Sequence, residues 1–275
     1  MIVVRTINEL ASVLGPGVET GLVTTMGAFH EGHLTLMRSA ATECERSVVS
    51  LFVNPSQFAP GEDLSTYPSQ EATDIELAGS AGVDILFAPS VEEMYKDNVT
   101  WVEVNELTDN YEGKARPSHF RGVATVVLKL FNLISPQRAY FGLKDLQQCA
   151  VVRRMVADLN LKIDLRFLET VREEDGLAMS SRNRYLLPAE RALAARINGA
   201  LGVVAQQVKS GVSLDEALDL GRAHLEEVGI KPDYLESVDW HSMTATKILR
   251  DDSRVIVAAK VGQVRLLDNI PLVTH

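Results

Sequence analysis

The chain holds only two cysteines, Cys44 and Cys149, in 275 residues. Two thiols at that spacing cannot build a zinc cluster, and both fall in helix-like patterns that predict buried free thiols. No apolar run approaches the roughly 18 residues of a membrane span. The opening Met1-Ile2-Val3-Val4-Arg5 reads as a strand, without the layout of a signal peptide, so a cytoplasmic, non-membrane protein is expected. There are no repeats and no low-complexity tracts. Positive charge is in deficit too: the formal net charge is −10, which argues against a nucleic-acid partner. The charge is not evenly spread. From Gly113 to Lys144 there is no Asp or Glu, while Lys114, Arg116, Arg121, Lys129, Arg138 and Lys144 give a local excess of six cations. With Pro117, Gly122 and Gly142 punctuating it, this stretch reads either as a loop for a small anion or as a solvated face.

What is present is a large core. Hydrophobic residues make up 46% of the chain and charged residues 23%, the balance of an ordinary globular protein of one or two domains. Strand-like runs at 2–4, 21–24, 47–53, 85–88, 138–141 and 162–168 alternate with helical patterns at 7–14, 33–45, 69–81, 120–134 and 145–159. This order predicts an α/β fold, a Rossmann-like parallel sheet with helices on both faces. After about residue 171 the pattern changes. A turn at Glu173-Glu174-Asp175-Gly176 leads to helices at 188–209 and 213–228. Strands follow at 234–240, 255–261 and 264–267, the last two joined by a hairpin at Gly262-Gln263. The expected domains are 1–171, binding nucleotide and substrate, and 172–275, a smaller C-terminal α+β domain closing over the site.

Four segments carry chemistry, and three of them follow a strand, where such folds bind ligands. In Met26-Gly27-Ala28-Phe29-His30-Glu31-Gly32-His33 two histidines lie three apart. They are either metal ligands, phosphate donors at a helix start, or simple caps; Gly32 disfavours a helix at that point. Phe52-Val53-Asn54-Pro55-Ser56-Gln57-Phe58 offers amides suited to hydroxyls and carboxylates. Gly142-Leu143-Lys144-Asp145-Leu146-Gln147-Gln148 has a glycine and a lysine opening a helix, which describes a phosphate cradle or a solvated helix start. Lys144 and Gln148 would share a helix face. Gly176-Leu177-Ala178-Met179-Ser180-Ser181-Arg182-Asn183 sets two hydroxyls beside a guanidinium, a clamp for phosphate or a polar surface loop. Nothing local supplies the elbow of a nucleophilic serine.

Together with Arg116-Pro-Ser-His-Phe-Arg-Gly122, these segments resemble, in order and over nearly the whole chain, the pantothenate synthetase (pantoate–β-alanine ligase) family of the HIGH-motif nucleotidyltransferases. Three residues depart from the family pattern: Phe29 for a leucine, Leu146 for an aromatic, and Leu143 for a polar Glu or Gln. The resemblance implies that pantoate's carboxylate attacks ATP to give pantoyl adenylate and pyrophosphate, after which β-alanine displaces AMP. It implies catalytic roles for His30, His33, Lys144, Ser180, Ser181 and Arg182, with His33 as proton donor. ATP contacts would come from Met26, Gly27, Ala28, Phe29, His30, Glu31, Gly32 and His33, from Gly142, Leu143, Lys144 and Asp145, and from Val171, Met179, Ser180, Ser181 and Arg182. Gln57 and Gln148 would hold pantoate, with Gln57 also near β-alanine. Asn54 and Arg116 are further candidates for substrate contact. Mg²⁺ would accompany ATP, with its protein ligands unknown from sequence, and a cytoplasmic homodimer is implied. Two other readings stay open at this point: a nucleotidyltransferase for another small acid, and a non-catalytic nucleotide sensor.

Overall fold

The computed structural model describes residues 1–273. The chain folds as two compact units. The first holds Met1–Gly142 and Val151–Leu168; the second holds Leu143–Ala150 and the chain from Glu169 on. The segment 143–150, expected within the first domain, thus groups with the second.

The first unit is built on six parallel strands: β1 (Ile2–Val4), β2 (Thr20–Thr25), β3 (Arg46–Leu51), β4 (Ile85–Phe87), β5 (Arg138–Gly142) and β6 (Asp164–Leu168). Their spatial order is β1-β4-β3-β2-β5-β6. From β2 the chain steps outward through β3 and β4, then returns to lay β5 on the other side of β2. The carboxyl ends of β2 and β5 therefore flank the point where strand order reverses, the position at which open α/β sheets take ligands. β2 and β3 are buried nearly throughout, and their centres carry the short apolar runs Leu22-Val23 and Val48-Val49. The helices are α1 (Ile7–Leu14), α2 (Glu31–Glu43), α3 (Glu71–Ser80), α4 (Val91–Tyr95), α5 (Tyr111–Ala115), α6 (His119–Ile134) and α7 (Leu146–Asp158), the last crossing from one unit to the other. Val23, Met37, Ala40, Val49, Ala78, Leu86 and Tyr140 form one core where α2 and α3 meet the sheet.

The second unit packs α8 (Pro188–Lys209) and α9 (Leu214–Glu226) on an antiparallel sheet of β7 (Pro232–Asp239), β8 (Thr244–Ala245), β9 (Ser253–Val261) and β10 (Val264–Pro271), in the order β10-β9-β7-β8. Ile197, Leu201, Val204, Leu225, Leu235, Val255 and Val257 fill its core. Gly262 turns the β9–β10 hairpin at a φ of +59°, the glycine-first pattern of a two-residue turn.

The fold class expected from sequence is borne out, with local corrections. The third strand ends at Leu51 instead of residue 53, because Asn54 starts a turn. α2 begins at Glu31, so Gly32 lies inside its first turn. Gly122 is not loop punctuation: it sits in helix α6. Cys149 is buried but Cys44 only half so, being the residue that ends α2. Among the described residues no helix is long and apolar enough to cross a membrane.

Candidate active site

In the first unit the path from β2 into α2 is a constrained turn. Gly27 has a φ of +90°, and a Cβ there would stand 2.8 Å from Leu51 Cδ1 and 3.0 Å from Asp74 Oδ2. Ala28 also takes a left-handed φ of +55°. The turn is held from α3: the Asp74 carboxylate, 1% exposed, accepts the N–H groups of Ala28 and Phe29, each at 2.8 Å. Phe29 packs into the core behind it.

His30 then caps α2. Its Nδ1 accepts the Gly32 N–H at 3.2 Å, while His33 Nδ1 accepts the His30 N–H at 3.4 Å. This is a capping box written with imidazoles, and it explains why a helix starts despite Gly32. It also assigns the tautomers. A nitrogen that accepts a backbone N–H carries no proton, so each neutral ring holds its proton on Nε2. Both rings, with centroids 4.2 Å apart, thus present an N–H as donor instead of a lone pair to a metal. Glu31 is exposed and ion-paired with Arg38.

Beside this turn, Asn54 caps the short 3₁₀ turn Pro55–Gln57. Asn54 Oδ1 accepts from Ser56 N, Ser56 Oγ and Tyr95 OH, and its Nδ2 donates to Gln57 Oε1 at 2.9 Å and Gly122 O at 3.2 Å. Both N–H bonds of the Asn54 amide are thereby used inside the protein. The Gln57 amide is oriented by them: its oxygen faces Asn54, and its Nε2 lies 3.0 Å from Met26 Sδ. Gly122 is required for this contact, since a Cβ would sit 2.5 Å from Ser56 O and 2.6 Å from Gln57 N. Arg116 binds the Glu62 carboxylate through Nε and Nη2 and also donates to Gln57 O. Its Nη1 donates to His119 Nε2, which leaves the His119 proton on Nδ1 for Gln57 O at 2.9 Å. Burial alone would push the Glu62 carboxyl up, but the Arg116 bonds and charge bring it below its usual range. Arg138 pairs with Glu19 and Lys144 with Asp145, so Arg116, Arg138 and Lys144 of the six-cation stretch are all met by acids outside it.

In the second unit, Leu143–Asp145 is a 3₁₀ turn that precedes α7. Lys144 and Gln148 are half-buried and Asp145 is exposed. Ser180 caps a second 3₁₀ turn, Ser181–Tyr185, through a bond from Arg182 N to its Oγ. That turn is braced from behind. Met179 N donates to Val171 O, and Asn183 Nδ2 donates to Ala178 O and Glu173 Oε1. Arg191 grips both Glu173 and Asp175. Arg172 forms a two-bond pair with buried Asp268 and also donates to Gly176 O.

Against known proteins, the family model for pantoate-beta-alanine ligase matches residues 2–271. The chain belongs to that family. It is 51% identical over 269 residues to pantothenate synthetase 1 of Bradyrhizobium diazoefficiens, covering 96% of this chain and 94% of that protein. It is 45% identical to the Moorella thermoacetica pantothenate synthetase, covering 96% and 95%. The crystal structure of the Thermus thermophilus pantothenate synthetase superposes with a TM-score of 0.97 at 45% identity over the full length of both chains. That of the Francisella tularensis pantoate-beta-alanine ligase, complexed with beta-gamma ATP and beta-alanine, does so with a TM-score of 0.84 at 33% identity, covering 100% and 99%.

The ligase resemblance drawn from the motifs is therefore borne out. Of the three departures from the family pattern, Phe29, Leu143 and Leu146 are all buried, so each apolar residue is accommodated by packing. Within the first unit the structure brings Met26, His30, His33, Asn54 and Gln57 into one neighbourhood through the Met26–Gln57 contact. Within the second, β10 lies against both the Leu143–Asp145 turn and the Ser181–Tyr185 turn. Sequence reasoning missed the groups that hold these residues in place: Asp74, Glu62, Tyr95, Arg172, Arg191 and Asp268. None stands in a motif of its own, and most of their partners are distant in sequence.

Proposed function

We propose that the chain condenses (R)-pantoate with β-alanine at the expense of ATP, by way of pantoyl adenylate, in pantothenate and coenzyme A biosynthesis. The observation that carries this reading is the pair of Nε2–H donors of His30 and His33 at the start of α2, in a chain of the pantoate–β-alanine ligase family. A pantoate carboxylate oxygen attacks the α-phosphorus of ATP, and the bond to the β-phosphate bridge oxygen breaks to release pyrophosphate. The β-alanine amine then attacks the acyl carbon, AMP leaves with the bonding pair, and the amine proton passes to solvent.

The first step crowds negative charge onto phosphate oxygens, which calls for fixed donors instead of a covalent nucleophile. Two Nε2–H groups and the positive end of α2 meet that need, with His33 as the proton donor. Lys144 bridges phosphate and developing charge; Ser180, Ser181 and Arg182 hold the β- and γ-phosphates. Gly142 to Asp145, Val171 and Met179 contact the nucleotide, largely by backbone. Gln57 and Gln148 hold pantoate, and Gln57 reaches β-alanine as well. With its oxygen turned to Asn54, the Gln57 side chain offers N–H to the ligand, which suits hydroxyl and carboxylate acceptors. Among the described residues no group of three His, Cys, Asp or Glu is placed to hold a metal. Mg²⁺ would accompany ATP, where it would neutralise phosphate charge. The enzyme acts as a cytoplasmic homodimer.

The test is isotope exchange between pyrophosphate and ATP. Exchange should require pantoate and not β-alanine, and AMP should accumulate only when both are present. Exchange with no acid, or with many unrelated acids, would remove the assignment and favour an adenylyltransferase of another specificity.

A further inference from the structure

Lys144 stands on a 3₁₀ turn of three residues that runs directly into α7. A side chain of β10 also holds that turn. Asn269, 1% exposed, donates from Nδ2 to Leu143 O at 2.8 Å and to Lys144 O at 3.2 Å, and its Oδ1 accepts Arg254 Nε at 2.7 Å. The amide cannot be reversed. Carbonyl oxygens only accept and a guanidinium only donates, so each end of the Asn269 side chain has the one partner type it can use. Arg254, itself 7% exposed, is fixed in turn by Glu169, whose two carboxylate oxygens take Nη1 and Nη2 at 3.1 and 2.9 Å. Glu169, Arg254 and Asn269 form a linear relay that ends on two consecutive carbonyls of the lysine turn.

We propose that Asn269 is the positioning residue for Lys144. It fixes the backbone from which a long, flexible side chain must reach a phosphate. The inference rests on the reading of Lys144 as a phosphate ligand. It adds that the C-terminal sheet supplies the footing of that lysine. A displacement of about 1 Å at a reacting group can cost about a hundredfold in rate, so a loosened turn should register in kcat before it registers in affinity for β-alanine.

The diagnostic variant is Asn269→Asp. It keeps the shape and the acceptor for Arg254 but turns a carboxylate oxygen toward two carbonyl oxygens. In the pyrophosphate exchange assay we expect kcat to fall about 10- to 100-fold, with KM for β-alanine in the full reaction unchanged. The decisive comparison is a cycle with Lys144→Ala. If Asn269 works through Lys144, the double variant should be no slower than Lys144→Ala within about threefold. A structural defect unrelated to the lysine would instead multiply the two losses. Wild-type kcat in Asn269→Asp, or fully multiplied losses, overturns the proposal. Near-normal exchange in Lys144→Ala overturns the reading of the lysine itself, a separate outcome. Should Asn269→Asp not fold, Asn269→Ser, which keeps one donor, is measured by the same criteria.

Discussion

At the scale of single residues, the informative atoms are the Nδ1 atoms of His30 and His33. A pair of histidines three apart reads equally well as metal ligands or as phosphate donors until the Gly32 and His30 N–H groups are seen to occupy both Nδ1 positions. Spacing carries no record of which ring nitrogen holds the proton. We expect His33→Ala to lower kcat by about 10²–10³ while KM for ATP changes far less, because the lost donor acts on charge that develops in the transition state. A near-normal kcat from steady-state kinetics would place the proton donor elsewhere. Asp74 was equally hidden: it acts on a turn 45 and 46 positions away, and nothing in its own neighbourhood marks it.

At the scale of elements, the alternation of strands and helices was legible because each long element carries its period over enough residues. Helix 7–14 and helix 188–209 match the expected bounds. Helices α4 and α5, five residues each, and the two-residue strand β8 carry no period to read. Gly122 was legible as a glycine but not as a contact; its place inside α6 shows that it lets the helix touch the Ser56–Gln57 backbone. Gly122→Ala should therefore separate two elements instead of merely stiffening one. We expect a loss of about 1–3 kcal/mol in chemical denaturation, with a raised KM for pantoate as the Gln57 turn shifts. An unchanged KM would show that this contact does not set the position of Gln57.

At the scale of the whole molecule, acid should be a stress. Glu62 sits below its usual range beside Arg116, as Asp175 does chiefly through its hydrogen bonds from Arg191. A carboxylate whose folded pKa is depressed adds stability that is present above its unfolded value, near 4. That stability is lost as pH falls through the folded value. We expect Tm to hold near neutrality and to decline progressively below about pH 4–5, with a shallower decline in Glu62→Gln and in Asp175→Asn. Identical acid limbs in the variants would assign the decline to other groups. The sequence changes pattern near residue 171, from alternating strands and helices to a turn followed by two helices. The grouping of 143–150 with the C-terminal unit leaves no such mark, because a strand-to-helix passage looks the same whichever partner it packs on.

That grouping has a consequence for the order in which the protein is made. Asn269 follows Leu143 by 126 positions, so during synthesis the lysine turn emerges long before the strand that anchors it. The histidine turn, braced by Asp74 on α3, has its support within a few dozen residues. A chain released early, before β10, would carry a finished histidine turn and an unsupported lysine. If Lys144 and Asn269 act as proposed, competence for adenylation would arrive only once β10 has been made and added to its sheet.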